Sequence, residues 1–117
     1  MVESKQELMK NLPELSLPHN DEAERVTIGA MLLEKTALYE VIDFLKPEMF
    51  YDEFLKSVYE AILRVEAYSE VDLVTVAEEL KKGGKEFDII RLVNLSEEVT
   101  SAAHIQIHSR IIYQDYL

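Results

Sequence analysis

The stretch of residues 18–33, PHNDEAERVTIGAMLL, predicts a helix that begins near Asp21. Asn20 or Asp21 can accept hydrogen bonds from the free amides of the first turn, and the acidic Glu22 and Glu24 suit the positive end of the helix dipole. Apolar residues then follow at spacings of three and four, as expected for one buried helix face: Ala23, Val26, Ala30, Leu33 and Ala37. We therefore predict a first helix over residues 21–35.

Gly29 lies in the middle of this predicted helix. A glycine inside a helix costs about 1 kcal/mol relative to alanine, so the position requires a compensating contact. The simplest compensation is a second helix that approaches the backbone where a side chain is missing. We expect such a close helix–helix contact at Gly29.

Length and composition indicate a single helical domain. The chain has 117 residues, of which 48% are hydrophobic and 30% charged, with three glycines and three prolines. These values are typical of one soluble domain with its own core, and the scarcity of turn-forming residues favours helix over sheet. The sequence contains no cysteine, no apolar run long enough to span a bilayer and no signal-peptide pattern. We expect a cytoplasmic protein without membrane contact.

The formal net charge of −11 argues against a role in gripping DNA. A surface with this excess of carboxylates repels the phosphate backbone, and no basic patch interleaved with aromatic residues offsets it. We expect no direct DNA binding by this domain.

Hydrophobic periodicity predicts an all-α fold, a compact bundle of about six helices. They cover residues 21–35, 37–45, 52–67, 72–82, 86–95 and 102 onward, with a strand as the alternative over 88–93. Residues 1–17 are predicted to form a flexible leader. The third helix is expected to be central, and the expected inward side chains of the bundle include Leu38, Val41, Leu45, Phe50, Tyr51, Leu55, Val58, Tyr59, Ile62, Ile90 and Leu95.

Four polar or glycine positions are expected to bound these helices. Thr36, Asp72 and Ser101 are predicted N-caps, because their side-chain oxygens can accept from first-turn amides. Gly83-Gly84 is a predicted C-cap, since glycine adopts the left-handed conformation at little cost.

Several segments resemble the N-terminal domain of DnaB-type replicative DNA helicases. The segments that carry the resemblance are Pro18-x-Asn20-x-Glu22-Ala23-Glu24, Ile28-Gly29-Ala30-x-Leu32-Leu33, Leu45-x-Pro47-x-x-Phe50-Tyr51, Val71-Asp72-Leu73-Val74-Thr75-Val76 and Val99-x-Ser101-Ala102-Ala103-His104. Two positions depart from the family pattern. Leu55 stands where the family often has histidine, and Asp88–Val93 replaces the usual Gly-Gly-x-x-Tyr-Leu.

The resemblance implies an all-helical N-terminal domain of a hexameric, ATP-driven DNA-unwinding enzyme. Residues 18–101 would form the globular domain, and residues 102–117 would start the helix of a truncated helical hairpin that leads to a linker and a RecA-like motor. In that family these domains form a collar that helps to hold the ring and docks primase, so the implied partners are other subunits, primase and a helicase loader. ATP and Mg²⁺ would belong to the motor.

A search for chemistry within the 117 residues finds no catalytic, cofactor or metal site. The Gly-x-x-x-x-Gly-Lys-Ser/Thr phosphate loop is absent. His104 and His108 share one helix face at a spacing that can hold zinc, but no third ligand follows, and an ordinary surface pair is the preferred interpretation. Glu22 and Glu24 point in different directions on a helix, so helix capping is preferred over an acid–base dyad.

The last helix offers the best candidates for contact with a partner: Ile107, Ile111, Ile112 and Tyr116. The same spacing is equally typical of a helix stripe buried in the core. A free-standing helical adaptor or dimerisation module is the alternative function, and a small metal-dependent enzyme is a third hypothesis.

Overall fold

The computed structural model describes residues 19–84 and 86–117. Within these ranges lie five α-helices: α1 (Asp21–Leu33), α2 (Glu53–Glu66), α3 (Leu73–Lys82), α4 (Ile89–Glu98) and α5 (Ile105–Tyr116). Two 3₁₀ helices, Lys35–Glu40 and Pro47–Met49, connect α1 to α2. No strand occurs in these ranges, so the all-α prediction is confirmed and the strand alternative at 88–93 is wrong. The predicted leader, residues 1–17, lies outside the described residues.

Helix α1 is the centre of the fold, with α4 and α5 packed against it, whereas the third predicted helix was expected to be central. Its buried residues surround much of the helix instead of forming one stripe: Ala23, Glu24, Thr27, Ile28, Gly29, Ala30, Met31 and Leu32. Leu33, predicted to face inward, is exposed. The one-face prediction was wrong because packing partners lie on more than one side of this helix.

Gly29 makes the close contact that its position predicts. A Cβ atom built on Gly29 would lie 2.5 Å from the backbone oxygen of Leu95 and 2.7 Å from a methyl group of Val99. The backbone of α4 therefore occupies the space that a side chain would need. This close packing offsets the cost of a glycine within a helix.

The predicted helix over 37–45 is instead the 3₁₀ helix Lys35–Glu40 followed by a turn. Leu38, Val41 and Leu45 are nevertheless fully buried, as predicted. A spacing of three or four residues suits a short 3₁₀ helix as well as an α-helix, so periodicity does not separate the two. Thr36 lies inside the 3₁₀ helix and does not cap it.

Helix α2 supplies the core face predicted for it, with Leu55, Val58, Tyr59 and Ile62 buried. The Tyr59 hydroxyl donates a 2.7 Å hydrogen bond to the backbone oxygen of Leu45. Burial raises the pKa of the Tyr59 hydroxyl. Phe50 is buried against Tyr59, with ring centroids 5.3 Å apart. Tyr51, also predicted to enter the core, is 46% exposed.

Of the predicted caps at Asp72, Gly83-Gly84 and Ser101, the structure contains the first two. Asp72 and Thr75 form a capping box at the start of α3. Gly84 closes the other end with φ of +72°. Ser101 does not cap the last helix, because α5 begins only at Ile105; its hydroxyl accepts the backbone N–H of Ala103 in the preceding turn.

Helix α4 is placed later in the chain than predicted, and its buried face changes accordingly. It begins at Ile89, after an N-cap at Asp88, and buries Leu92 and Leu95. Ile90 was expected to face inward and is 68% exposed. The position of the cap, which a short apolar run does not reveal, sets which side chains face α1 and α3.

Candidate partner-binding surface

Helix α5 carries the predicted partner-binding residues, and the structure separates them by burial. Ile112 is 2% exposed and belongs to the core, whereas Ile107 is 59% and Tyr116 50% exposed. Ile111 is partly buried and packs against the core. Of the four predicted residues, Ile112 is thus buried within this chain, which is the core alternative that the sequence left open.

The exposed members of the set do not form one patch. Ile107 and Tyr116 are nine positions apart on the helix. This spacing is about two and a half turns, so the two side chains project from opposite sides of α5. A partner that contacts both would have to wrap around the helix, and the structure therefore brings together no single surface from the predicted residues.

One side of α5 contacts the end of the first 3₁₀ helix and the turn after it through polar and aromatic contacts. The side-chain amide of Gln106 donates to the carboxylate of Glu40 at 3.2 Å. The Arg110 guanidinium lies 4.7 Å from the centre of the Phe44 ring, and Phe44 meets Tyr113 edge to face at 5.9 Å. These contacts orient the outer surface of the helix.

Tyr116 lines a groove of about 580 Å³ at the opposite end of α5. Met49, Phe50 and Tyr51 supply apolar and aromatic wall atoms. The ring of Tyr51 is stacked on His19, with centroids 3.8 Å apart and an interplanar angle of 7°. The groove lining combines these apolar and aromatic side chains with four charged residues, Glu48, Glu53, Lys56 and Asp115.

A buried carboxylate holds this region together, and the sequence pattern did not reveal it. Glu24 is only 2% exposed, and its two oxygens accept the backbone N–H groups of Tyr51 at 2.9 Å and Asp52 at 3.1 Å. These amides belong to the N-cap residue of α2 and the residue before it, so Glu24 holds the chain at the start of a neighbouring helix. Burial raises the pKa of Glu24, and the two N–H donors only partly offset this effect. Glu22, by contrast, is exposed.

Asp52 connects α2 to α4. One of its oxygens accepts the N–H of Leu55 as the N-cap of α2, and the other accepts a 2.6 Å hydrogen bond from Arg91. The Arg91 guanidinium also lies 4.6 Å from the centre of the Phe54 ring. Burial acts to raise the pKa of Asp52, but the bonds from Arg91 and Leu55 outweigh it and lower the pKa. No spacing rule relates Asp52 to Arg91, so the pair could not be predicted.

The histidine pair of α5 has the geometry of an aromatic contact. The rings of His104 and His108 meet edge to face with centroids 6.3 Å apart. Among residues 19–84 and 86–117, no group of three His, Cys, Asp or Glu side chains is placed to hold a metal ion. No helix in the same ranges combines the length and apolar character needed to cross a bilayer.

The fold and surface define an all-helical, acidic domain with apolar and aromatic side chains at its surface. Residues 16–114 match the family model described as "DnaB-like helicase N terminal domain". The chain belongs to this family.

Two curated relatives are similar over most of the chain. "Replicative DNA helicase DnaB" of Rhodothermus marinus is 39% identical over 104 residues, which cover 86% of this chain and 11% of that protein. "Replicative DNA helicase DnaB" of Geobacillus stearothermophilus is 35% identical over 99 residues, which cover 81% of this chain and 22% of that protein. The chain therefore spans at most about a quarter of these relatives.

A solved structure has the same fold. The N-terminal domain of DnaB helicase from Mycobacterium tuberculosis superposes with a TM-score of 0.81 at 31% sequence identity, covering 86% of this chain and 73% of that one. The resemblance carried by the opening helix and the Leu45–Tyr51 segment is thereby confirmed as a family relationship.

Proposed function

We propose that these residues form the assembly and protein-interaction domain of a hexameric, ATP-dependent replicative DNA helicase. The observation that carries the proposal is the family match over residues 16–114, supported by relatives that are named replicative DNA helicases. In this proposal the domain helps to hold the ring and docks primase, and a helicase loader is a further partner. The family relationship favours this role over a free-standing adaptor.

Catalysis is assigned in this proposal to a motor that the 117 residues do not contain. The sequence has no phosphate-binding loop of the Walker type. ATP and Mg²⁺ would bind to that motor, while this domain would contribute surfaces. The net charge of −11 supports contact with proteins in preference to DNA.

We assign partner contact to the exposed part of α5, meaning Ile107 with the accessible edge of Ile111, and to Tyr116 as a separate contact. The burial of Ile112 makes it a core residue that supports the helix from below. Two separate contacts on one helix suit a domain that touches another subunit on one side and a second protein on the other.

The test compares aspartate substitutions in the helicase polypeptide that carries this domain. Ile107→Asp and Tyr116→Asp place a charge on exposed positions, so far-UV circular dichroism should stay unchanged. Ring formation is measured by mass photometry, and primase binding by surface plasmon resonance with primase from the same organism. Loss of either interaction in a folded variant supports the proposal.

Ile112→Asp is the matched control, because a charge placed in the core should unfold the domain instead of weakening one contact selectively. If both exposed variants form rings and bind primase as the unmodified protein does, the assignment of α5 as a partner surface is wrong. Ile111→Asp discriminates further, since selective loss of binding indicates an interface and unfolding indicates core.

A further inference from the structure

A second groove lies away from α5, between α2, the end of α3 and the segment that leads to α4. Its volume is about 460 Å³. Phe54, Leu80 and Phe87 supply its apolar surface. Phe54 and Phe87 are only partly buried and pack at the edge of the core. This groove, which we call the α2–α3 groove, has room for a large apolar side chain against two aromatic rings.

The charges along the α2–α3 groove are unbalanced. Glu53, Glu60 and Glu86 line it, and none of the three is paired with a cation among the described residues. The two guanidinium groups near the groove are already neutralised. Arg64 is bonded to Glu79 at 2.8 Å, and Arg91, which stacks on Phe54, is bonded to Asp52 at 2.6 Å.

The arrangement therefore offers an apolar floor with a rim of carboxylates that have no cation partner within the part of the chain that the structure describes. Glu53 and Glu86 are exposed and Glu60 is half-buried. Carboxylates beside an apolar surface favour an occupant that has positive charge next to an apolar group, because the carboxylates then gain partners when the apolar surface is covered. A neutral apolar segment would leave the carboxylates beside an apolar surface without compensation.

The length of the groove sets the length of an extended peptide that it could hold. Its wall on α2 runs from Glu53 to Arg64, eleven positions along one helix. At about 1.5 Å of rise per residue this wall is roughly 16 Å long. An extended chain advances about 3.3 Å per residue, so the wall accommodates about five residues.

We propose that the α2–α3 groove binds a short extended segment of a partner protein, in which an apolar or aromatic residue is flanked by lysine or arginine. The apolar residue inserts between Phe54 and Phe87, and the flanking cations pair with Glu60 and Glu86. This contact is separate from the α5 surface, and its failure would leave the proposed helicase role untouched.

The test is a titration of the ¹⁵N-labelled 117-residue chain, followed by amide chemical shifts. The probe is the capped peptide Lys-Leu-Phe-Leu-Lys. Two matched peptides separate the contribution of charge from that of apolar contact: Glu-Leu-Phe-Leu-Glu reverses the charge, and Lys-Ser-Gly-Ser-Lys removes the apolar residues. We expect saturable shifts confined to residues 53–64 and 80–87 with the first peptide only, and weaker binding at 0.5 M salt than at 0.1 M, because screening shortens the reach of the rim charges.

Charge reversal in the groove provides the second arm. Glu60→Lys should raise the dissociation constant of the probe peptide about fivefold, the loss expected for exposed charge pairs. Glu86→Lys, in the segment between helices, provides the same test if the α2 variant folds poorly. Asp43→Lys makes the same charge change at an exposed position elsewhere, and should alter the constant less than about twofold.

Shifts spread over the whole acidic surface, or an equal response to the peptide without apolar residues, would show general attraction of cations and overturn the proposal. It is also overturned if neither groove variant weakens binding more than the Asp43 variant does.

Discussion

Replacement of Glu24 tests whether one buried carboxylate anchors the start of α2. Its two oxygens accept the backbone N–H groups of Tyr51 and Asp52 at 2.9 and 3.1 Å, and the residue is 2% exposed. In Glu24→Ala both amides lose their acceptor within the folded chain. In Glu24→Gln one side-chain oxygen remains, so one of the two bonds can persist while the amide NH₂ group faces the other donor.

The expected losses follow from these bonds. A polar group left without its partner in a protein interior costs about 1–3 kcal/mol, so two amides give about 3 kcal/mol for Glu24→Ala. Glu24→Gln should lose about half of this, roughly 1.5 kcal/mol. For a domain of this size, about 3 kcal/mol corresponds to a decrease in Tm of roughly 10 °C.

The measurement is urea unfolding followed by far-UV circular dichroism, with amide hydrogen exchange as the local readout. Glu22→Ala is the control: the residue is exposed, and losing its favourable interaction with the helix dipole should cost no more than about 0.5 kcal/mol. Exchange at the amides of Tyr51 and Asp52 should accelerate in Glu24→Ala beyond the change in global stability. Equal losses for the Glu22 and Glu24 alanine variants would refute the anchoring role.

Three further substitutions probe the packing and the electrostatics. Gly29→Ala should destabilise the fold by about 1–3 kcal/mol in urea unfolding, although alanine has the better helix propensity, because the new methyl group meets a backbone oxygen at 2.5 Å. Gly83→Ala is the control substitution. A stabilised Gly29 variant would contradict the close packing of α4 on α1. Thr27→Val should raise stability by about 1 kcal/mol in the same assay, since the buried hydroxyl has no hydrogen-bond partner among the described residues; an unchanged or lower urea midpoint would indicate a partner. Asp52→Asn keeps the N-cap oxygen but removes the negative charge. Because the pKa of Asp52 is lowered below its ordinary value of 3.8, the ionised carboxylate stabilises the folded state above that pH, and this stabilisation is lost as the pH falls. Stability of the Asn variant measured from pH 6 to pH 3 should therefore decline less than that of the unmodified chain, and parallel curves would contradict the ion pair.

Local sequence patterns were sufficient to predict the fold class and much of the core. The spacing of Leu55, Val58, Tyr59 and Ile62 predicted the buried face of α2, and Gly29 predicted a helix in close contact. These features depend on backbone geometry within one helix or on the cost of one residue, so they can be read without knowing the neighbours. The boundary at Asp72 was predictable for the same reason, since the cap and its donor are three residues apart.

The candidate surface was predicted less well, because exposure depends on which side of a helix the rest of the chain covers. Ile107 and Ile112 are equally apolar and lie on the same helix, yet one is exposed and the other belongs to the core. Helical periodicity places apolar residues around the axis, but it does not show where a neighbouring helix will lie. The same reason explains why Ile90 and Leu33 were expected inside.

The sequence by itself determined that this protein is helical, acidic and related to one family, because those properties reside in composition, helix signals and short motifs. Only the tertiary structure decided that Glu24 accepts backbone N–H groups at the start of a different helix, that Asp52 pairs with Arg91, and that a negatively rimmed groove lies beside α2. These features join residues 27 to 39 positions apart in the chain. Contacts over such separations are formed by packing of the whole bundle, and no local pattern of residues specifies them.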